Sequence, residues 1–554
     1  MNRLALLAFL GVAACLDAAA APGSVVDTRH NLSVSGPGPV RSTTEQEVCI
    51  FCHAAHVPES GPALWNHVTP SAVAYKPYES AQMVARAGQP DGDSRLCLSC
   101  HDGTIALGAV HSREKTIPVT ATDAGGRLRE DSPARLGTDL SGAHPVSVDY
   151  DEAMAGQDLR RAVRLRPLDT SRPGESLLDE DRKVQCTSCH DPHVDTASQG
   201  WDVPPFWRGD RYQDVCATCH VTPLVDAPHG DDGLLPKGCG SCHAGHGVSG
   251  EKLLPAREEN ACFRCHGSAD EVRARVDEGT LSVRARPTLV EAELARPHHH
   301  PVVETVGIHA AGEDLEAQTA SSPRHVECVD CHAIHGAPRA PEAGGVRAVG
   351  APASGTLGDV PEFEVCYGCH GARANLPFGH TDKSAELDPG NESYHPVELP
   401  SESASTPSLL SPWRQGDLMT CSDCHAGDRD GDTQGPHGSS WPFILKAQYT
   451  VADGTPESAR AYELCYGCHS RATVLGDGTF RGHAQHVVSE KTSCYACHDS
   501  HGSPDEPALV RFGKDLRYGS VTASSDGRLD YDPSGQRCWL TCHDVDHVGL
   551  GYDP

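Results

Sequence analysis

Apolar residues are thinly and irregularly spaced along this 554-residue chain, and few stretches hold the alternation that marks a half-buried strand. Strand signals are therefore weak throughout. The pattern predicts short helices at a recurring cysteine–histidine motif and irregular chain between them. The fold class expected is mostly coil with short α-helices and little β. The charged stretch 267–296 reads as a short exposed helix. Residues 336–361, GAPRAPEAGGVRAVGAPASGTLGDVP, read as a flexible linker, and 398–412 and 503–530 as surface loops. The concentrated apolar run is N-terminal. MNRLALLAFLGVAACLDAAAAPG has a positive start, a short apolar core and small residues before Pro22, the pattern of a secretory signal over residues 1–21. It is too short to span a bilayer and no other segment qualifies, so no transmembrane segment is expected. Cys15, in Val-Ala-Ala-Cys, resembles a lipoprotein cleavage box; the favoured reading is a cysteine in a discarded signal, cleaved near Ala19 to Ala21.

Twenty-four of the 25 cysteines fall in pairs, each followed at once by histidine. Eleven pairs are C-x-x-C-H and the last is C-x3-C-H. The first six sites are Cys49, Cys52 and His53; Cys97, Cys100 and His101; Cys186, Cys189 and His190; Cys216, Cys219 and His220; Cys239, Cys242 and His243; Cys262, Cys265 and His266. The second six are Cys328, Cys331 and His332; Cys366, Cys369 and His370; Cys421, Cys424 and His425; Cys465, Cys468 and His469; Cys494, Cys497 and His498; Cys538, Cys542 and His543. Residues three and four apart share a helix face, so two thiols and one imidazole come together. That is the geometry of c-type haem attachment, with two thioethers to one porphyrin and the histidine as proximal iron ligand. Zinc would not require histidine after every second cysteine, and disulfides require none. Twelve covalently bound haem c groups are expected.

Composition fits that reading. Hydrophobic residues are 38% and aromatics 5%, with 55 Gly and 41 Pro, so the chain buries little apolar side-chain surface of its own. Twelve porphyrins would supply the missing core, and the haem-free chain should be largely unfolded. The formal net charge of −30 argues against nucleic acid and against an anionic membrane surface. It suits cations, a basic redox partner, or simply a soluble acidic surface. Covalent haem attachment fits export.

The sites come in two flavours. One carries another histidine three residues on: His56, His193, His246, His335 and His501. The other lacks it and usually follows an acidic residue, as at Cys216, Cys366 and Cys465. The two alternate in units spanning 97–193, 216–246, 262–335, 366–437 and 465–501. In the fourth unit an insertion, CHAGDRDGDTQGPHG, delays the second histidine to His437. Module boundaries are expected at 22–195 for haems 1–3, 196–340 for haems 4–7 and 341–554 for haems 8–12.

Beyond Met1 the chain holds Met83, Met154 and Met419, so the sixth iron ligand should be histidine at most or all sites. Three residues reach only about 10 Å, so a histidine three after the proximal one should serve a neighbouring haem and stitch two together. Loop histidines supply the rest. The distal candidates are His30, His56, His144, His193, His229, His246, His300, His335, His395, His437, His486 and His501. His299, His309, His380, His483 and His547 are substitutes. His67, His111, His298 and His325 read as surface residues or as neighbours of ligands.

The alternating repeat, with HNLSVSG from His30, EVCIFCHAAH around Cys49, PALWN, SRLCLSCHDGTIA, SGAHPVSVDY and VQCTSCHDPH, resembles the doubled-CxxCH multihaem cytochromes c of metal-reducing bacteria. The C-x3-C-H site and the interrupted fourth unit depart from that pattern. The resemblance implies an extended scaffold organised around stacked haems, carrying electrons in the periplasm, across the outer membrane or to extracellular acceptors. It implies redox proteins, other cytochromes, a porin–cytochrome complex or extracellular metals as partners. Two other readings compete. A reductase of a small oxyanion or metal needs a haem with an open sixth position, often marked by Lys in place of the proximal histidine; all twelve motifs here end in His. A haem filament or a porin-docked conduit needs an inter-subunit ligand, for which His30 and His547 are candidates.

Overall fold

The computed structural model describes residues 24–54, 64–70, 72–80, 83–157, 164–168, 177–196, 200, 202–221, 228–230, 233–248, 251–303, 325–332, 334–335, 361–372, 376, 380–401, 406–433, 435–476, 478–513 and 521–552. The signal segment with Cys15, the linker up to residue 360, His56 and His309 lie outside them.

The architecture is mostly coil with short helices and little strand. The two motif flavours adopt two conformations. Plain sites close longer helices, Gly92–His101, Tyr212–Cys219, Glu258–His266 and Glu362–His370, with a shorter turn at Glu463–Tyr466. Each carries an acidic residue in its first turn, where the helix dipole favours negative charge. The other flavour sits on single turns: Cys49–Phe51, Cys186–Cys189, Gly238–Ser241, Cys328–Cys331, Cys421–Asp423 and Cys494–Cys497. The charged stretch after residue 266 contains the exposed helix Ala269–Asp277, its start held by the Ser268 hydroxyl accepting from the Glu271 N–H.

Among the described residues, eleven short strands form five small antiparallel sheets. β1 (Val148–Asp149) pairs with β3 (Lys183–Val184), and β2 (Arg164–Leu165) with β4 (His220–Val221). β5 (His298–His299) pairs with β7 (Gly438–Ser439), and β6 (Ser393–Tyr394) with β8 (Gly502–Ser503). The β2–β4 and β5–β7 ladders cross the module boundaries drawn from the sequence. The last three strands, β9 (Asp530–Asp532), β10 (Arg537–Cys542) and β11 (Val545–Gly551), form an antiparallel sheet ordered β11-β10-β9.

Apolar packing is local. Ile50, Phe51, Val110 and Ile117 make one cluster, and Ala461, Tyr462 and Val487 another. Such clusters flank motif cysteines such as Cys52, Cys328 and Cys494 instead of forming a central core. The centre of the molecule is a cavity.

Candidate functional site

A continuous cavity of about 5310 Å³ runs through the chain and is lined by both cysteines of all twelve motifs. Shared among twelve sites this is about 440 Å³ each, within the ~300–1,000 Å³ of a small-molecule pocket. Thiols and imidazoles around apolar walls are the donor set that haem c requires, so the residues fit the group.

Across that cavity the structure sets histidine rings in pairs, some stacked and others edge-on. His53 and His193 have centres 6.1 Å apart, His101 and His30 6.1 Å, His190 and His246 6.3 Å, and His220 and His144 6.2 Å. His243 and His335 are 6.0 Å apart, His266 and His229 6.1 Å, His332 and His437 5.9 Å, and His370 and His300 6.3 Å. His425 and His501 are 6.3 Å apart, and His498 and His483 6.2 Å. His395 lies close enough to His469 to act on its charge. Two imidazoles bound to one metal at about 2 Å each hold their centres roughly 6 Å apart, so every one of these gaps admits one iron.

The outer ring nitrogens are held by the protein. Nδ1 of His101 donates to Ala134 O at 2.7 Å, His190 to Pro205 O at 3.0 Å, His243 to Lys252 O at 3.0 Å, His266 to Thr288 O at 2.9 Å, His425 to Phe443 O at 2.7 Å and His498 to Ala508 O at 2.8 Å. A carbonyl on Nδ1 fixes the tautomer and turns Nε2 to the gap. Burial pushes His190, His220, His370, His425, His437 and His469 down to about 4, so they are neutral, the form that binds metal.

The facing histidines follow a rule. Each x-x-H histidine faces the proximal histidine two motifs back: His193 faces His53, His246 faces His190, His335 faces His243, His437 faces His332 and His501 faces His425. Each loop histidine faces the plain site that follows the next motif, as His144 faces His220. The two kinds are clasped through the carbonyl just before the x-x-H histidine. Pro192 O accepts from His30, Pro436 O from His300 and Ser500 O from His395, at 3.0, 2.8 and 2.6 Å. Gly245 O accepts the backbone N–H of His144 at 2.7 Å, and Ile334 O accepts from the His229 ring. At β7 and β8 a side chain would block the clasp. A Cβ on Gly438 would stand 1.9 Å from Glu293 O, and one on Gly502 2.0 Å from Glu386 O.

Sulfur positions give the order of sites. First cysteines touch between sites 2 and 3 (Cys97, Cys186), 4 and 5 (Cys216, Cys239), 6 and 7 (Cys262, Cys328), and 8 and 9 (Cys366, Cys421). Cys465 and Cys494 are near neighbours between sites 10 and 11. The other joints run through second cysteines: Cys52 and Cys100, Cys189 and Cys219, Cys242 and Cys265, Cys424 and Cys468. Cys331 neighbours Cys366 between sites 7 and 8, and Tyr552 lies beside both Cys497 and Cys542. Spatial neighbours are therefore sequence neighbours.

Several residues depart from their expected places. His483, a substitute in the sequence reading, faces His498. His486 faces His547, with ring centres 6.3 Å apart, instead of a motif histidine. His543 turns its Nε2 to Asp453 Oδ2 at 3.2 Å. His67 and His325 are buried. The sequence also left unread the residues four before the plain sites. Glu258 accepts from the Val329 N–H at 2.9 Å, Glu362 from the Ser422 N–H at 2.7 Å, and Asp93 from the Thr187 hydroxyl at 2.9 Å. Glu258 and Glu362 bond the first-turn N–H of the next motif and Asp93 its threonine, so each pins consecutive sites together. The insertion in the fourth unit is anchored by the Arg296 guanidinium, which pairs with Asp428 and Asp432, and by Thr433 donating to Glu293 at 2.9 Å, so that His437 still arrives opposite His332.

No curated protein matches the chain. Residues 234–271 and 411–473 match the family described as doubled CXXCH motif. Each segment holds an x-x-H-type site followed by a plain one, sites 5–6 and 9–10, the pairs joined through second cysteines. The paired motif at these two places is consistent with the multihaem c-type cytochromes and points to electron transfer.

Proposed function

We propose that this is a dodecahaem cytochrome that carries electrons end to end along bis-histidine sites arranged in sequence order, in the periplasm or at the cell surface. The observation that carries the reading is the alternation of joints. From site 1 to site 11 each neighbours the next through motif cysteines, with clasped histidines at alternate joints, and Tyr552 lies between sites 11 and 12. Haem c bound at each site supplies a one-electron iron couple. The chain's own residues do the rest. Paired imidazoles would hold the iron, backbone carbonyls fix their tautomers, and burial keeps those in the cavity neutral. With histidine on both sides and Met scarce, low potentials are expected. No helix among the described residues is long and apolar enough to cross a membrane. The acidic surface favours a basic redox partner or metal cations as the acceptor.

Ferric low-temperature spectra of the loaded protein test this. Uniformly low-spin iron, with all haems reduced in one kinetic phase from a donor at one end, is expected. A high-spin fraction in the wild-type protein would contradict it and point to a reductase with an open site.

A further inference from the structure

We infer that the twelfth site uses His547, not His543, as the ligand opposite His486. The inference rests on the bis-histidine reading above and concerns the one motif with an extra residue.

Eleven motifs lie on helical turns; the twelfth lies on a strand. In β10, Cys538, Leu540 and Cys542 share one face, because strand side chains alternate. β11 pairs with β10 so that His547 stands opposite Leu540, on that same face and midway between the two thiols. Both cysteines and His547 line the cavity. His543 and Asp544 form the tight turn between the strands, both with positive φ (48° and 62°), the geometry of a two-residue hairpin loop. That turn carries His543 off the face. Its Nε2, the atom that faces the gap elsewhere, meets Asp453 Oδ2, and Asp453 is itself held by the Ser493 N–H at 2.7 Å.

The repeat leads to the same residue. Loop histidines His30, His144, His229 and His300 each face the proximal histidine of an even-numbered site, and His395 neighbours that of site 10. His486 is the next in this series, and the residue it faces is His547. His486 also keeps the ring polarity of the others, with Nδ1 on Gly482 O at 2.7 Å. Three residues before it, His483 faces His498 of site 11. One π-helical segment, Ala484–Ser489 with the residue before it, thus closes the last two sites. The competing donor is the Tyr552 hydroxyl, 3.0 Å from His486 Nε2 and 3.4 Å from His547 Nδ1.

The test uses the full-length, haem-loaded protein with His547→Ala, His543→Ala and Tyr552→Phe, read by covalent haem count from intact mass and by ferric spectra. We expect H547A to keep twelve haems and turn about one-twelfth of the iron high-spin, with added imidazole restoring the low-spin form. H543A and Y552F should remain twelve-haem and low-spin. A high-spin signal or lost haem in H543A, a changed ligand field in Y552F, or an unchanged H547A would overturn the assignment. A wild-type protein with eleven low-spin haems would sink this inference and leave the other sites standing. Wild-type high-spin iron that persists equally in all three variants would instead refute the underlying bis-histidine reading.

Discussion

An imidazole holds iron only while neutral, and burial keeps His370 and His425 so well below physiological pH. His501 shifts the other way. Burial pulls it down, but Asp499 and Glu386 outweigh burial and raise it. The proximal ligands were legible from the motif alone. The facing ones were legible as a set, because histidine is plentiful and methionine is not, yet their pairing was not. Which gap His193 closes depends on a clasp 162 residues away in sequence, between His30 and Pro192. Replacing His193 by Ala is expected to open one iron and give a high-spin signal of about one-twelfth of the total, without loss of covalent haem. Glu258 offers a second check. Burial pushes its carboxyl up to about 7 from 4.5. The folded protein then holds this proton more tightly than the unfolded chain does. The stabilisation is complete below pH 4.5 and fades as pH climbs toward 7. Thermal midpoints of Glu258→Gln followed across that range should fall less steeply than those of the wild type.

At the scale of elements, the helical phase of C-x-x-C-H was readable, and so was the exposed helix after residue 266. The single turns of the x-x-H sites were not separable by pattern from the longer plain-site helices. The last site could not be read correctly from spacing. C-x3-C-H looks like a widened helical loop, whereas β10 makes it a strand whose face, not whose next residue, sets the chemistry. The fourth-unit insertion looked disruptive because its anchor lies 132 residues back, in Arg296. The side chains of Arg296 and its partner Asp428 are 7% and 8% exposed, so removing the guanidinium leaves buried carboxylates uncompensated. Arg296→Ala should lower the local opening free energy around 426–438 by about 3–5 kcal/mol, read by hydrogen exchange. Glu362→Ala should cost less, about 1–3 kcal/mol, seen as faster exchange at 421–425.

At the scale of the whole molecule, apolar packing is small and local, and a continuous cavity walled by thiols and imidazoles runs through the chain. Composition made that legible: 38% hydrophobic residues and 96 Gly and Pro do not build a core for 554 residues. The order of the sites in space was not legible, because it is written in contacts between sulfurs of successive motifs. Since the core is the cofactor, the chain made without haem should show no cooperative thermal transition and only weak helical circular dichroism, whereas the loaded protein should unfold cooperatively. The most direct test of the central claim is to locate the irons in the loaded protein by anomalous scattering at the iron edge. The account predicts twelve irons, one midway between each facing histidine pair from His53–His193 to His486–His547, each nearest to those of the motifs before and after it. An iron bracketed by any other pair, or a break in the sequence order, would contradict it.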